Sequence, residues 1–215
     1  MNASPEATFD CLSIIDELVQ IAGGAGESEI ANFGYLSCLL SVYRGAPPSD
    51  WGYGFAATKV AAPYSEDLSE ALETCRLSGL VDEGASGFSL SSRGLAELEG
   101  LSGLRRFSPR RSYLRAACQS ATAIPLPLVT ESLSAEPQLR QALRLASQRP
   151  LLDEAGRHVV LSHFSALAQA VPAAEDLFVP AVVWLAYLAR QVEADAAALS
   201  GDERGAGQEV ENLEH

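Results

Sequence analysis

The stretch from Ser49 to Leu98 constrains the fold of this chain more than any other part of its sequence. Its apolar residues first alternate with small ones, then recur every three or four positions, and then alternate again around a glycine-containing turn. These periods are typical of a strand, an amphipathic helix and a β-hairpin. A second helical period closes the stretch. The sequence therefore predicts the order strand, turn, helix, two-stranded wing and helix.

Residues typical of strand and helix ends support this order. Trp51, Tyr53 and Phe55 alternate with small residues, which predicts a short strand with one aromatic face. Ser65 is a residue type that caps helix N-termini, and Gly79 is a type that ends helices. Between them, apolar side chains recur with helical spacing at Leu68, Ala71, Leu72 and Cys75. This is the pattern of the second half of a winged-helix domain, a fold that often binds DNA.

The helix that would enter the DNA groove in such a domain is acidic. Four carboxylates oppose the single Arg76, and they are Glu66, Asp67, Glu70 and Glu73. Phosphates repel a row of carboxylates, so we expect this helix to bind protein or only to build the fold. Two alternatives are open for this acidic face. It could bind arginine or mimic phosphate, or it could simply be solvated.

Charge divides the chain into segments. Of its 215 residues, 15 are basic and 28 acidic, for a net charge of −13. Residues 1–104 hold 15 acidic and 4 basic residues, whereas 105–115 hold five arginines and no acid. The sequence predicts a mainly α fold, with a winged-helix domain over 1–104 and an all-helical domain over 105–198. It also predicts a disordered acidic tail over 199–215, which ends in Leu213-Glu214-His215, typical of a cloning-site and tag remnant.

Apolar periodicity predicts four helices in the second half, over Ser112–Thr122, Glu136–Gln148, Arg157–Ala170 and Phe178–Leu199. The strongly apolar run Leu177–Ala189 is 13 residues long, and a membrane span needs about 20. We therefore expect no membrane contact. A helix in the centre of the core and a dimer interface are the two alternatives for this run.

The five arginines at the start of the second half are the sharpest functional candidate. This arginine cluster comprises Arg105, Arg106, Arg110, Arg111 and Arg115. A guanidinium suits phosphate or carboxylate, and nearby aromatic residues offer stacking surfaces. Three alternatives are open for the cluster. It could be a staple, by which we mean ion pairs to the acidic residues of 1–104 in the same molecule or in a dimer mate. It could instead bind a partner protein, or bind nucleic acid.

The sequence offers little to support catalysis. The cysteines lack a CxxC pair and fall mostly at apolar helical positions, which favours buried free thiols in a cytoplasmic protein; they are Cys11, Cys38, Cys75 and Cys118. His158 and His163 are five residues apart, unlike a helical zinc pair. No nucleophile elbow and no phosphate-binding loop occurs. We expect no metal, no cofactor and no enzymatic activity. The weaker alternative is an enzyme whose pocket gathers titratable groups such as Glu70, Glu73 and His163.

Residues Leu36 to Leu98 resemble the winged-helix domain of phage-associated proteins and Panacea-type antitoxins. The resemblance rests on the segments YLSCLLSVYRG, WGYGF, APYSEDLSEALETCRLSGLV and GFSLSSRGLAEL. Ala62 stands where these proteins carry glycine, and Ser91 where they often carry threonine. The resemblance implies a role in toxin neutralisation or phage defence with a protein partner.

The resemblance and the acidic helix together predict a non-enzymatic, cytoplasmic bacterial interaction protein. It would be antitoxin-like or an accessory subunit of phage defence, and would bind a toxin, nuclease or other effector. The alternative is a transcriptional regulator that binds DNA as a homodimer, through the arginine cluster or the wing.

Overall fold

The computed structural model describes residues 4–171 and 176–211. Helices dominate the described residues, as the amphipathic patterns of the sequence predict. The helices are α1 (Pro5–Ala22), α2 (Glu27–Tyr43), α3 (Glu66–Leu77), α4 (Ser92–Ser102), α5 (Ser108–Gln119), α6 (Leu126–Ser134), α7 (Pro137–Leu145), α8 (Glu154–Ala170) and α9 (Phe178–Glu211). Short 3-10 turns lie at Pro48–Trp51, Arg105–Phe107 and Ser120–Thr122.

The strands of the described residues are short and form two antiparallel sheets. They are β1 (Ala56–Ala57), β2 (Pro63–Tyr64), β3 (Val81–Gly84), β4 (Gly87–Leu90) and β5 (Arg149–Pro150). β3 and β4 form a hairpin in which Val81 pairs with Leu90. β1 pairs with β2 and with β5. The predicted mainly α fold with a small β wing is confirmed, and β5 adds a strand from the second half to a sheet of the first.

Side chains cap the helices on both sides of the wing. The Ser65 hydroxyl accepts a hydrogen bond from the Leu68 N–H at 3.4 Å, and Gly79 turns the chain after α3 with a φ of 67°. The Ser91 hydroxyl accepts from the Gly94 N–H at 3.1 Å and donates to the Gly79 carbonyl at 2.8 Å. One serine therefore begins α4 and holds it against the end of α3.

The aromatic segment before α3 differs from the sequence prediction. The predicted strand carries Trp51, Tyr53 and Phe55, but the chain forms a 3-10 turn over Pro48–Trp51 and enters β1 only after Phe55. The proline fits the first turn of such a helix, and Gly52 then reverses the chain with a φ of 88°. Trp51 and Phe55 are nevertheless buried.

α6 is a helix that the sequence analysis does not predict, because it lies between the predicted helices Ser112–Thr122 and Glu136–Gln148, where the segment IPLPL at 124–128 is typical of a break. Pro127 lies in the first turn of α6, where a missing N–H costs no hydrogen bond. At the other end of the chain, α9 continues to Glu211, although disorder is predicted for 199–215. Residues 212–215, with the predicted tag remnant, lie outside the described part.

One hydrophobic core spans the boundary that charge predicts at residue 104. α5 packs against α1 and α2, and the ring of Phe107 stacks on that of Phe9 with centroids 4.3 Å apart. Leu114 and Cys118 of α5 are buried in the same core. The two segments that differ in charge therefore share one core across the predicted boundary.

The apolar run Leu177–Ala189, which leads into α9, is buried on one side only. Trp184 and Leu185 belong to the core, whereas Val183 is 37% exposed and Tyr187 is 44% exposed. One face of this run therefore packs into the core, and its other face is exposed to solvent. Among the described residues, no helix is both long enough and apolar enough to cross a membrane.

Candidate partner-binding surface

The arginine cluster contains one residue that is almost fully buried. Arg110 lies in the first turn of α5 and is 7% exposed. Its guanidinium donates from Nε to Oδ1 of Asp10 and from Nη2 to Oδ2, the latter at 2.6 Å. Nη1 donates to the Trp51 carbonyl at 2.7 Å, and the guanidinium carbon lies 3.8 Å from the centre of the Trp51 ring. Arg110 is therefore committed to contacts inside the protein.

Asp10 of α1 is the carboxylate that makes this arrangement possible. It is fully buried, and the Tyr53 hydroxyl donates to it at 2.5 Å. Burial raises the pKa of the Asp10 carboxyl, and Arg110 opposes that shift. Burial also disfavours the charge of Arg110, but Asp10 and Tyr53 together outweigh this effect and the pKa of Arg110 lies above its ordinary value. The pair joins α1 to α5, as the staple interpretation expects.

Two further members of the arginine cluster also face α1. Arg106 lies 3.5 Å from Glu6, and Arg115 lies 4.0 Å from Glu17. Burial raises the pKa of Glu17, and the charge of Arg115 opposes that shift. These arginine side chains are 53% and 64% exposed, so their pairs are weak.

Arg105 and Arg111 complete the cluster and are exposed. Within the described part of the chain, neither forms an ion pair closer than 4.0 Å. The cluster is therefore divided: three arginines turn to α1, and two remain available to solvent or to a ligand.

The acidic α3 face, defined as Glu66, Asp67, Glu70 and Glu73, lies on the surface of the protein. Glu66 and Glu73 are exposed, and the other two are half-buried. Arg76 donates to both carboxylate oxygens of Glu73, at 2.9 and 3.0 Å. This contact lowers the pKa of Glu73. Arg76 balances the charge of Glu73, so the negative charge that the face presents to solvent comes from its other three carboxylates.

Apolar side chains border the acidic α3 face. Tyr64, just before α3, is 43% exposed, and Leu77, at its end, is 77% exposed. Between α2 and α3 lies a shallow cavity of about 60 Å³, whose lining includes Glu27, Tyr64 and Leu72. Carboxylates beside exposed apolar groups are suited to a basic, amphipathic protein segment. Sequence analysis did not single out Tyr64 and Leu77, although Leu77 departs from the apolar period of α3, which is a signal of exposure.

A second buried carboxylate, Glu136, lies at the start of α7. It is fully buried and accepts hydrogen bonds from the N–H groups of Gln138 and Leu139, both at 3.0 Å. The side-chain amide of Gln138 also donates to it at 3.4 Å, and the Tyr35 hydroxyl favours its charged form. Burial raises the pKa of Glu136 to about 7, which these hydrogen bonds only partly oppose. No arginine or lysine of the described residues pairs with it.

Among the described residues, those with potential for catalysis or metal binding do not converge on one site, although the thiols of Cys11 and Cys75 lie close together in the core. All four cysteines are buried and free, in agreement with the sequence prediction. His163 packs edge-on against Tyr187, with ring centroids 6.0 Å apart, while Glu70 and Glu73 lie on α3. In the described ranges, no group of three or more histidine, cysteine or carboxylate side chains could hold a metal ion.

Comparison with known proteins identifies no relative of this chain. No family model matches it, and neither a curated protein nor a solved structure does. The function is therefore argued from the residues and contacts described above.

Proposed function

We propose that this protein is a non-enzymatic bacterial interaction protein that binds a toxin, nuclease or other effector and holds it inactive or assembled. Its docking surface is the acidic α3 face, and its partner presents a basic segment. The observation that carries this proposal is the exposure of Glu66 and Glu73 beside Tyr64 and Leu77, on the helix that would meet DNA in a winged-helix domain.

The chemistry of this face favours protein over nucleic acid. Long-range repulsion between the chain, with its net charge of −13, and a polyanion would oppose DNA binding at α3. The same field would speed the approach of a basic partner. A partner arginine can form with Glu66 the kind of bidentate contact that Glu73 makes with Arg76, and Tyr64 offers the aromatic anchor common in protein interfaces.

A dimeric DNA-binding regulator is the second candidate, and Arg105 and Arg111 are the residues that favour it. Both are exposed and unpaired among the described residues. Two arginines per chain give a dimer four phosphate contacts, which release few counterions. A plot of the logarithm of the DNA affinity against the logarithm of the salt concentration would therefore have a slope of about −4 at most. Binding of this kind is weaker and less salt-sensitive than that of dedicated DNA-binding proteins.

Affinity capture from a lysate of the protein's own host, with and without nuclease, tests the proposal. The bait is the full chain, and a second bait carries Glu66→Lys and Glu73→Lys. We expect one protein to bind the first bait stoichiometrically after nuclease treatment, and to bind the second at least about 30-fold more weakly, equivalent to about 2 kcal/mol.

A matched control carries Glu97→Lys and Glu99→Lys, two exposed carboxylates of α4. It changes the net charge by the same amount and should capture the partner like the unaltered chain. Equal capture by all three baits would contradict a role for α3. Capture of DNA alone, lost on nuclease treatment, would favour the regulator.

A further inference from the structure

The exposed side of α8 and α9 carries an apolar surface separate from α3. We call it the α8–α9 face and define it by Val159, His163, Ala166, Val179, Val183 and Tyr187. We propose that two copies of the chain form a symmetric dimer through this face. The proposal does not depend on the function proposed for α3.

Three side chains of α9 form an apolar ridge on this face. Val179, Val183 and Tyr187 are spaced four residues apart, so they lie along one side of the helix. They are 41%, 37% and 44% exposed. The opposite side of α9, with Trp184 and Leu185, already fills the core. An apolar ridge beyond what the core uses indicates a partner.

A cavity of about 410 Å³ lies between α8 and α9, beside this ridge. His163, Ala166 and Leu167 line it on α8, and Val183 and Tyr187 line it on α9. A ridge and a cavity on the same face are self-complementary. A two-fold axis through the face would place the ridge of each copy against the cavity of the other, which is the isologous contact of most homodimers.

Charge favours a second copy as the occupant. No aspartate, glutamate, arginine or lysine is among the residues that define the face or line its cavity, and His163 is their one imidazole. Each chain has a net charge of −13, so two copies repel each other wherever their acidic surfaces meet. A basic partner protein would be drawn instead to the acidic surfaces. An uncharged apolar face thus suits another copy of this chain, because it buries no like charges.

The size of the face reaches the lower limit for a specific dimer interface. α8 has 17 residues, so it is about 25 Å long, and two adjacent helices are about 20 Å wide. Pairing such faces would bury on the order of 1,000 Å² over both copies, which is the lower limit for a specific interface.

Sedimentation velocity of the full chain tests the proposal. The unaltered protein should sediment at twice the mass of 22.7 kDa. Val183→Glu places a carboxylate on the ridge at an exposed position, so the chain should still fold, and we expect the dimer to dissociate at least about 30-fold more readily. Val60→Glu is the matched control, because Val60 is 76% exposed and distant in sequence from the face; it should leave the dimer intact.

A cross-linking measurement covers the case in which Val183→Glu fails to fold. Because the four native cysteines are buried, Val183→Cys introduces a single accessible thiol into a chain that still dimerises. Mild oxidation with a thiol-bridging reagent should yield a covalent dimer far faster than it does for Val60→Cys. A monomer at about 100 μM, equal dimerisation of Val183→Glu, or equal cross-linking of the two cysteine variants would overturn the proposal.

Discussion

Two buried carboxylates, Asp10 and Glu136, lie in different parts of this molecule and differ in their partners. Asp10 meets the guanidinium of Arg110 and the hydroxyl of Tyr53. Glu136 is equally buried but accepts hydrogen bonds only from uncharged groups, which are the backbone N–H groups of Gln138 and Leu139 and the side-chain amide of Gln138.

The difference determines what each carboxylate contributes. The charges of Asp10 and Arg110 compensate each other, although the two residues are 100 positions apart in the sequence. Their contact therefore fixes α5 on α1. Removing either residue would leave a buried charge without a partner. Glu136 has no such compensation, and its raised pKa of about 7 makes its charge depend on pH near neutrality. One site therefore holds the fold together, and the other makes its stability sensitive to pH.

Arg110→Ala should have the largest effect on stability. It leaves the Asp10 carboxylate buried without its counter-ion, and we expect the free energy of unfolding to fall by about 3–5 kcal/mol in urea titrations at pH 7. Arg111→Ala, at the exposed neighbouring position, is the control and should change it by less than about 0.5 kcal/mol. A loss below about 1 kcal/mol for Arg110→Ala would refute the staple.

Replacing both Asp10 and Arg110 shows whether the stability lost in Arg110→Ala comes from the unpaired charge of Asp10 or from the lost packing of the arginine side chain. The double variant Asp10→Leu, Arg110→Met removes both charges, so it should be more stable than Arg110→Ala alone. If the double variant is less stable than the single one, packing of the arginine side chain is the dominant contribution.

Glu136 should make stability fall as pH rises. The folded protein keeps this proton up to a pH of about 7, whereas the unfolded chain loses it near 4.5. The stabilising contribution is therefore complete below pH 4.5 and is lost as pH rises through 7, a change of about 3 kcal/mol at 1.36 kcal/mol per pH unit.

Glu136→Gln tests this pH dependence, because an amide does not titrate. Urea titrations between pH 4.5 and 8 should show a flatter profile for the variant than for the unaltered protein. Glu131→Gln, at an exposed position of α6, should leave the profile unchanged. If the free energy of unfolding changes with pH in the same way for Glu136→Gln and for the unaltered protein, Glu136 does not cause the pH dependence.

The two tyrosine hydroxyls sharpen the same comparison. Tyr53→Phe removes a donor to the charged Asp10 and should cost about 2 kcal/mol, whereas Tyr35→Phe should cost about 1 kcal/mol at pH 6, where Glu136 is mostly protonated. The cost of Tyr35→Phe should grow towards pH 8. Equal costs at both pH values would indicate that Glu136 keeps one protonation state throughout.

Arg115→Ala should have the smallest effect. Its contact with Glu17 is 4.0 Å long and its side chain is 64% exposed, so thermal or urea unfolding should change by less than about 0.5 kcal/mol. A loss as large as that of Arg110→Ala would mean that the whole arginine cluster, and not one member, forms the staple.

Local sequence patterns predict part of this fold well. The cap at Ser65, the stop at Gly79 and the apolar period of α3 all act within a dozen residues, so the unit of α3, wing and α4 follows from sequence. The contact between Asp10 and Arg110 spans 100 residues and leaves no local pattern. The distribution of charge along the chain suggests that the clustered arginines pair with acidic residues of 1–104. It does not show that Arg110 pairs with Asp10. Pro127 misled the prediction because the same residue can end a helix or begin one.

We propose that the acidic α3 face binds the partner and that the arginine cluster, of which only Arg110 is buried, does not. Calorimetric titration of the captured partner into two variants tests it most directly. The account predicts that Glu66→Lys with Glu73→Lys weakens binding at least about 30-fold, whereas Arg105→Glu with Arg111→Glu leaves it unchanged. The reverse result, with binding lost only when the arginines are altered, would contradict the claim.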